Sequence, residues 1–190
     1  MRRGAQGMQE PRHIVLGVTA SIAVHRALDL VSLWRKRGFT VSVVMTPNAT
    51  RLIAPVTFQA LSLSKVYSDM WEQSESFDHD HIRLAQRAAV MVVAPASASM
   101  IGKLAHGIYD NILGTSAAAF DGPRLFAPAM NHRMWANPIV QKNCALLRDT
   151  GWTMIPPISG DLACGEQGEG RLALVDDIVS AVARALASKA

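Results

Sequence analysis

A short apolar run at residues 13–18, His-Ile-Val-Leu-Gly-Val, is followed by a helical pattern and then by a second such run. This order constrains the fold most. The first run is rich in β-branched residues and suits a strand buried on both faces of a parallel sheet. Residues 21–37 place Ala23, Ala27, Leu30, Val31 and Trp34 at helical spacing, and Gly38 stops the helix. Residues 40–45 form the second strand and complete a right-handed β-α-β unit. Further strands are predicted at 89–94 and 124–127, and further helices at 97–106, 137–150 and 175–188. The alternation specifies an α/β fold: a doubly wound parallel sheet in a Rossmann- or flavodoxin-like three-layer sandwich.

Ligands in such folds bind at the carboxyl ends of the strands. Four unusual segments fall there: Gly17-Val18-Thr19-Ala20-Ser21, Thr46-Pro47-Asn48, Pro95-Ala96-Ser97-Ala98-Ser99 and Pro128-Ala129-Met130-Asn131. The first is neither a Walker loop nor a dinucleotide fingerprint. Its small residues admit a close backbone approach, Thr19 and Ser21 offer hydroxyls, and the helix behind it presents N–H groups and positive dipole character. That arrangement suits a single phosphate. Ser21 has an alternative reading as a plain N-cap. Thr46 offers a further hydroxyl or serves as a turn residue before Pro47.

With 190 residues, 49% of them apolar, the chain has enough material for one folded domain. That domain is expected over 13–190, behind a disordered lead-in at 1–12. No apolar run approaches the ~20 residues of a membrane span, and residues 1–12 lack a signal-peptide core. A cytoplasmic location is the expectation. Two cysteines, Cys144 and Cys164, make no disulfide framework. The net charge of +4 is modest, and its clusters at Arg2-Arg3 and Arg35-Lys36-Arg37 form no basic stripe, which argues against nucleic acid. His79-x-His81 is too little for a metal site.

Three segments look costly for a mere scaffold. They are His79 to Ala85, Pro128 to Trp135, and Gly160 to Arg171. The last holds four glycines, too many for a helix or a central strand, and is expected to be a mobile surface loop.

On these segments the chain resembles the homo-oligomeric flavin-containing cysteine decarboxylases. That family comprises phosphopantothenoylcysteine decarboxylases and the peptidyl-cysteine decarboxylases of aminovinyl-cysteine peptides. The resemblance runs from about His13 to Arg171. His81 matches the family's active-site histidine in its His-Ile-x-Leu-Ala setting. Pro128 to Asn131 match its Pro-x-Met-Asn motif, and Met134-Trp135 match its Met-Trp. Leu162 to Gly165 match the flap of the phosphopantothenoylcysteine enzymes.

The resemblance implies FMN held by Gly17, Thr19, Ala20, Ser21, Ile22, Thr46, Pro95, Ser97, Ala98, Ser99, Met100 and Ala129. It places the substrate against Met130, Asn131, Asp161 and Ala163. It also implies homotrimers, stacked in some members into dodecamers, with FMN at the trimer contacts. One departure stands out: Ser99-Met100 replaces the family's usual Asn-Thr after Pro-Ala-Ser-Ala.

Loss of carbon dioxide from a cysteine carboxylate leaves a carbanion that no side chain can stabilise. A flavin supplies the sink by first oxidising the Cβ–thiol bond to a thioaldehyde, whose C=S then takes the electrons. His81 suits proton handling near neutrality. Asn131 can donate to a carboxylate and accept from an amide, or it is an αL turn residue. Cys164 is a candidate proton donor to carbon, and Cys144 reads as core. Met130, Met134 and Trp135 read as packing that also walls the flavin.

Two substrates fit. Cys164 within Leu-Ala-Cys-Gly favours phosphopantothenoylcysteine. Three features favour a cysteine-ending peptide, and this is the expectation adopted: the absence of the usual fused synthetase domain, the Thr19-Ala20-Ser21-Ile22 turn, and the segment Gly107 to Leu113. A non-catalytic regulatory flavoprotein and a prenyl-transferring relative are the other classes. The set His81, Asn131 and Cys164 argues against the first, and Pro128 to Asn131 against the second.

Overall fold

The structure is a computed structural model that describes residues 12–71, 80–161 and 167–188. Six parallel strands form the sheet. In chain order they are β1 (His13–Val18), β2 (Thr40–Met45), β3 (Val66–Tyr67), β4 (Val90–Ala96), β5 (Arg124–Pro128) and β6 (Trp152–Met154). They lie in the spatial order β3-β2-β1-β4-β5-β6. This is the expected doubly wound α/β arrangement, and the order reverses between β1 and β4, where a crevice opens.

Every residue of β1 after His13 is buried, because both faces of the sheet are covered. Ile14, Leu16 and Val18 pack on α1 (Val24–Lys36) and α8 (Val175–Ala187). Val15, with Met91 and Val93 of β4, packs on the other side beneath α3 (Asp80–Arg87), α4 (Ala98–Ala105), α5 (Ile112–Ala118) and α7 (Pro138–Asp149). The remaining helices are α2 (Pro55–Ser62) and α6 (His132–Trp135). Among the described residues no helix is long and apolar enough to cross a membrane.

His13 binds the first two strands together. Its Nδ1 lies 2.7 Å from Thr40 Oγ1 and its Nε2 lies 3.0 Å from Ser42 Oγ. Burial, and secondarily the Arg87 cation, lower its pKa to about 4. Cys144 is core as expected, 1% exposed, and burial raises its thiol to about 11.

Two local expectations are corrected. The first helix starts at Val24, not at residue 21, which leaves residues 20–23 as an irregular turn at the crevice. The described part of the glycine-rich segment is an antiparallel hairpin, β7 (Ile158–Asp161) with β8 (Gln167–Arg171). Its glycines serve contact. A Cβ at Gly170 would stand 2.4 Å from the Met130 carbonyl oxygen, and one at Gly168 would stand 2.6 Å from His132 Cβ. Gly170 also adopts φ +142, a conformation that side chains disfavour. The hairpin therefore seats its backbone on the loop after β5, fixed by Met130 N–H donating to Gly170 O at 2.9 Å.

Candidate active site

A cleft of about 1010 Å³ opens at the carboxyl edge of the sheet. One wall is Ala20, Ser21 and Ile22 with the first turn of α1, and Ser97 and Ala98 continue it at the start of α4. The opposite wall is Ala129, Met130 and Asn131 with Met134, and then Gly170 to Asp176 running from β8 into α8. Of the sequence-predicted residues, Ala20, Ser21, Ile22, Ser97, Ala98, Ala129, Met130 and Asn131 meet in this one cleft.

The local chemistry favours an anion at the α1 end. The N-cap of α1 is Ala23, which supplies no side-chain cap, and the first turn carries no acidic residue. Ser21 is not the N-cap; its Oγ accepts from Ala23 N–H at 3.3 Å, inside the turn. Ser97 is the N-cap of α4, and its Oγ accepts from Met100 N–H at 3.3 Å.

Thr19, expected at the cofactor, has its hydroxyl engaged within the protein. It is fully buried, its hydroxyl donates to Pro95 O at 2.7 Å, and the same oxygen accepts from Ser97 N–H at 2.8 Å. The hydroxyl spends itself joining the loop after β1 to the loop after β4, across the switch point. Thr19→Val removes the join and leaves a part-buried N–H without its partner. It is expected to cost about 1–3 kcal/mol in denaturant titration and to weaken flavin retention on gel filtration, with Thr19→Ser recovering most of both.

Five other residues expected at the cofactor do not line the cleft of the single chain. Gly17 lies within β1, where a Cβ would stand 2.5 Å from Leu113 Cδ1; the glycine lets α5 approach the sheet. Pro95 is buried, with its carbonyl held by Thr19. Thr46 turns the chain after β2, its Oγ1 accepting from Ala49 N–H at 3.3 Å. Met100 is 2% exposed in the core beneath α4, and Ser99 is exposed outside the lining. The departure from the family's Asn-Thr pair therefore falls outside the cleft wall.

Asn131 is the N-cap of α6 in an extended conformation, φ −58 and ψ 146, and not an αL turn residue. Its Oδ1 accepts from Arg133 N–H at 2.8 Å. This fixes the amide plane in the cleft wall. Trp135 is core, 8% exposed, whereas Met134 is 48% exposed and joins Met130 in the lining.

His81 stands apart. It is half-buried in the first turn of α3, beside Asp80, which pairs with Arg83 at 2.7 Å and Lys65 at 3.4 Å. It does not line the cleft of its own chain. Asp161 closes β7 opposite Gln167. Ala163, Cys164 and His79 lie outside the described residues. Sequence reasoning missed the exit of the hairpin, Arg171 to Asp176, as cleft wall. The signal available was the run of glycines, whose seat on the β5 loop draws the following residues inward.

The family described as Flavoprotein matches residues 3–187. The probable phosphopantothenoylcysteine decarboxylase of Streptococcus mutans serotype c is 43% identical over 173 residues, which are 90% of this chain and 97% of that protein. The coenzyme A biosynthesis bifunctional protein CoaBC of Bacillus subtilis is 42% identical over 90% of this chain, which spans only 42% of that longer protein. A PPC decarboxylase mutant complexed with pantothenoylaminoethenethiol superposes with a TM-score of 0.84 at 31% identity, covering 91% of this chain and 97% of that one. The FMN-dependent cysteine decarboxylase SpaF does so with 0.82 at 29%, covering 94% and 97%. The chain thus belongs to the flavoprotein family, among its FMN-dependent cysteine decarboxylases.

Proposed function

We propose that the chain decarboxylates phosphopantothenoylcysteine to the saturated aminoethanethiol, phosphopantetheine. The observation that carries this reading is the 43% identity extending over 97% of the Streptococcus mutans protein. That relative is matched over 97% of its own length, so a stretch of this size carries no preference for a peptide substrate. The other two features that pointed to a peptide also lose their force. Thr19 is a buried clamp, and Asn111 caps α5 by accepting from Gly114 N–H at 3.1 Å, away from the cleft lining.

The cleft fits FMN. Three alanines, Ala20, Ala98 and Ala129, leave room for a flat ring, and the uncapped start of α1 receives a phosphate. Ser21, Ile22 and Ser97 complete its hold. FMN held there would supply the hydride acceptor and donor that the substrate Cβ requires.

The chain's own residues do the rest. Asn131, its amide plane set by the α6 cap, donates to the substrate carboxylate. Met130 and Met134 exclude water beside it. His81 handles the thiol proton from a neighbouring copy, because it does not line the cleft of its own chain. A homotrimer with a cleft at each contact meets this requirement. Cys164 protonates carbon at the last step, and Asp161 and Ala163 bind the substrate.

Anaerobic single turnover with excess enzyme tests the reading. Phosphopantothenoylcysteine should give phosphopantetheine, with FMN oxidised again without oxygen. A flavin that stays reduced, with a product two hydrogens lighter released only from a cysteine-ending peptide, would install the peptidyl reading instead. Recovery of FAD from the denatured protein would overturn both.

A further inference from the structure

Arg171 is a cation in the cleft wall that the proposed function leaves unused. It ends β8, faces Ile158 across the hairpin, and lines the cleft. Its side chain lies along Gly160: a Cβ there would stand 3.5 Å from Arg171 Cδ and 3.2 Å from Nη1. The bare glycine gives the guanidinium a seat. Among the described residues Arg171 forms no ion pair, whereas Arg26 on the facing wall lies 3.4 Å from Asp29. The one carboxylate among the described lining residues, Asp176, sits in the first turn of α8, where the helix dipole already favours it.

The cleft's volume stands at the top of the ~300–1,000 Å³ span of single-ligand sites, so a cofactor and a substrate can share it. Its α1 end suits the flavin phosphate. Gly170 is the unpaired residue of a bulge and turns toward Met130 and Asn131, whereas the Arg171 side chain lies along Gly160 of the facing strand. Arg171 is therefore separated from the amide that would hold the substrate carboxylate. A long substrate with an anion at each end matches that separation.

We infer that Arg171 receives the phosphate of the substrate, and so selects a phosphorylated pantothenoyl thiol over a peptide. A planar guanidinium takes two phosphate oxygens at once. The inference rests on the proposed function and names the residue that would enforce it.

The test compares phosphopantothenoylcysteine with its dephosphorylated form in the wild type, Arg171→Met and Arg171→Lys. Binding of phosphopantetheine and pantetheine is followed in parallel through the flavin absorbance. The wild type should prefer the phosphorylated substrate by about 10–100-fold in kcat/KM. Arg171→Met should collapse that ratio to within about threefold, with Arg171→Lys between. Flavin content and melting temperature show that each variant is folded. A preserved ratio in Arg171→Met, or an equal loss for both substrates, overturns the role of Arg171 and leaves the proposed function standing. A wild type that does not turn over phosphopantothenoylcysteine overturns the proposed function itself.

Discussion

His81→Asn is expected to lower turnover by about 10²–10⁴-fold while the protein still retains FMN, since the role proposed for the imidazole is to move a proton and not to hold the cofactor. The geometry adds a second, sharper expectation. His81 does not line the cleft that holds Asn131 in its own chain. If it acts on the cleft of a neighbour, two inactive variants can rescue each other. His81→Asn chains supply intact clefts, and Asn131→Asp chains supply intact imidazoles. Random co-assembly should restore about a quarter of the wild-type sites. The measurement is activity after joint unfolding and refolding of equal amounts, beside each variant refolded alone. No recovery from mixed oligomers would place His81 and Asn131 in one chain's site.

The second large effect is on stability. His13 is neutral in the folded protein because burial holds its pKa near 4, against 6.5 for the free side chain. Between those values the unfolded chain takes up a proton that the folded chain refuses. The stability that the neutral ring contributes is therefore fully present above pH ~6.5 and is lost progressively as pH falls toward 4. A shift of this size corresponds to roughly 3 kcal/mol, and partial solvent exposure reduces it to about 2. Denaturant titrations of wild type and His13→Gln across this range check it. Gln can still bridge Thr40 and Ser42 but does not titrate, so the wild type should show the steeper acid loss. Parallel curves for the two proteins would remove His13 as the source.

Much of this fold could be read in the sequence wherever burial on both faces forces continuous apolar runs. Strands β1, β2, β4 and β5 were legible for that reason, as was α8, whose apolar stripe faces the sheet. The short edge strands β3 and β6 were not, because two or three residues carry no periodicity. Helix α2 escaped because it buries little beyond Phe58 and Ser62. Half of the candidate site was legible, as the loops at strand ends. The division of labour inside those loops was not. Thr19 and Ser21 look equivalent as hydroxyls in the sequence, yet one is sealed between two backbones and the other lines the cleft. Gly17 looks like part of a phosphate loop, and it serves Leu113 instead. Which way a side chain faces depends on partners about eighty residues away, which local patterning does not encode.

The backbone seat of the β7–β8 hairpin has a consequence for how such an enzyme changes its diet. The hairpin touches its platform through Gly168 and Gly170, and the fastening bond runs from main chain to main chain. That part of the docking needs no side chain from the hairpin. Substitutions elsewhere on the hairpin that spare it should leave Asn131 and α6 in place. A hairpin transplanted from a relative with another substrate should keep its register here provided it brings both glycines. New appetites would then arise on an old hinge plate, with the chemistry at the sheet edge left as it was.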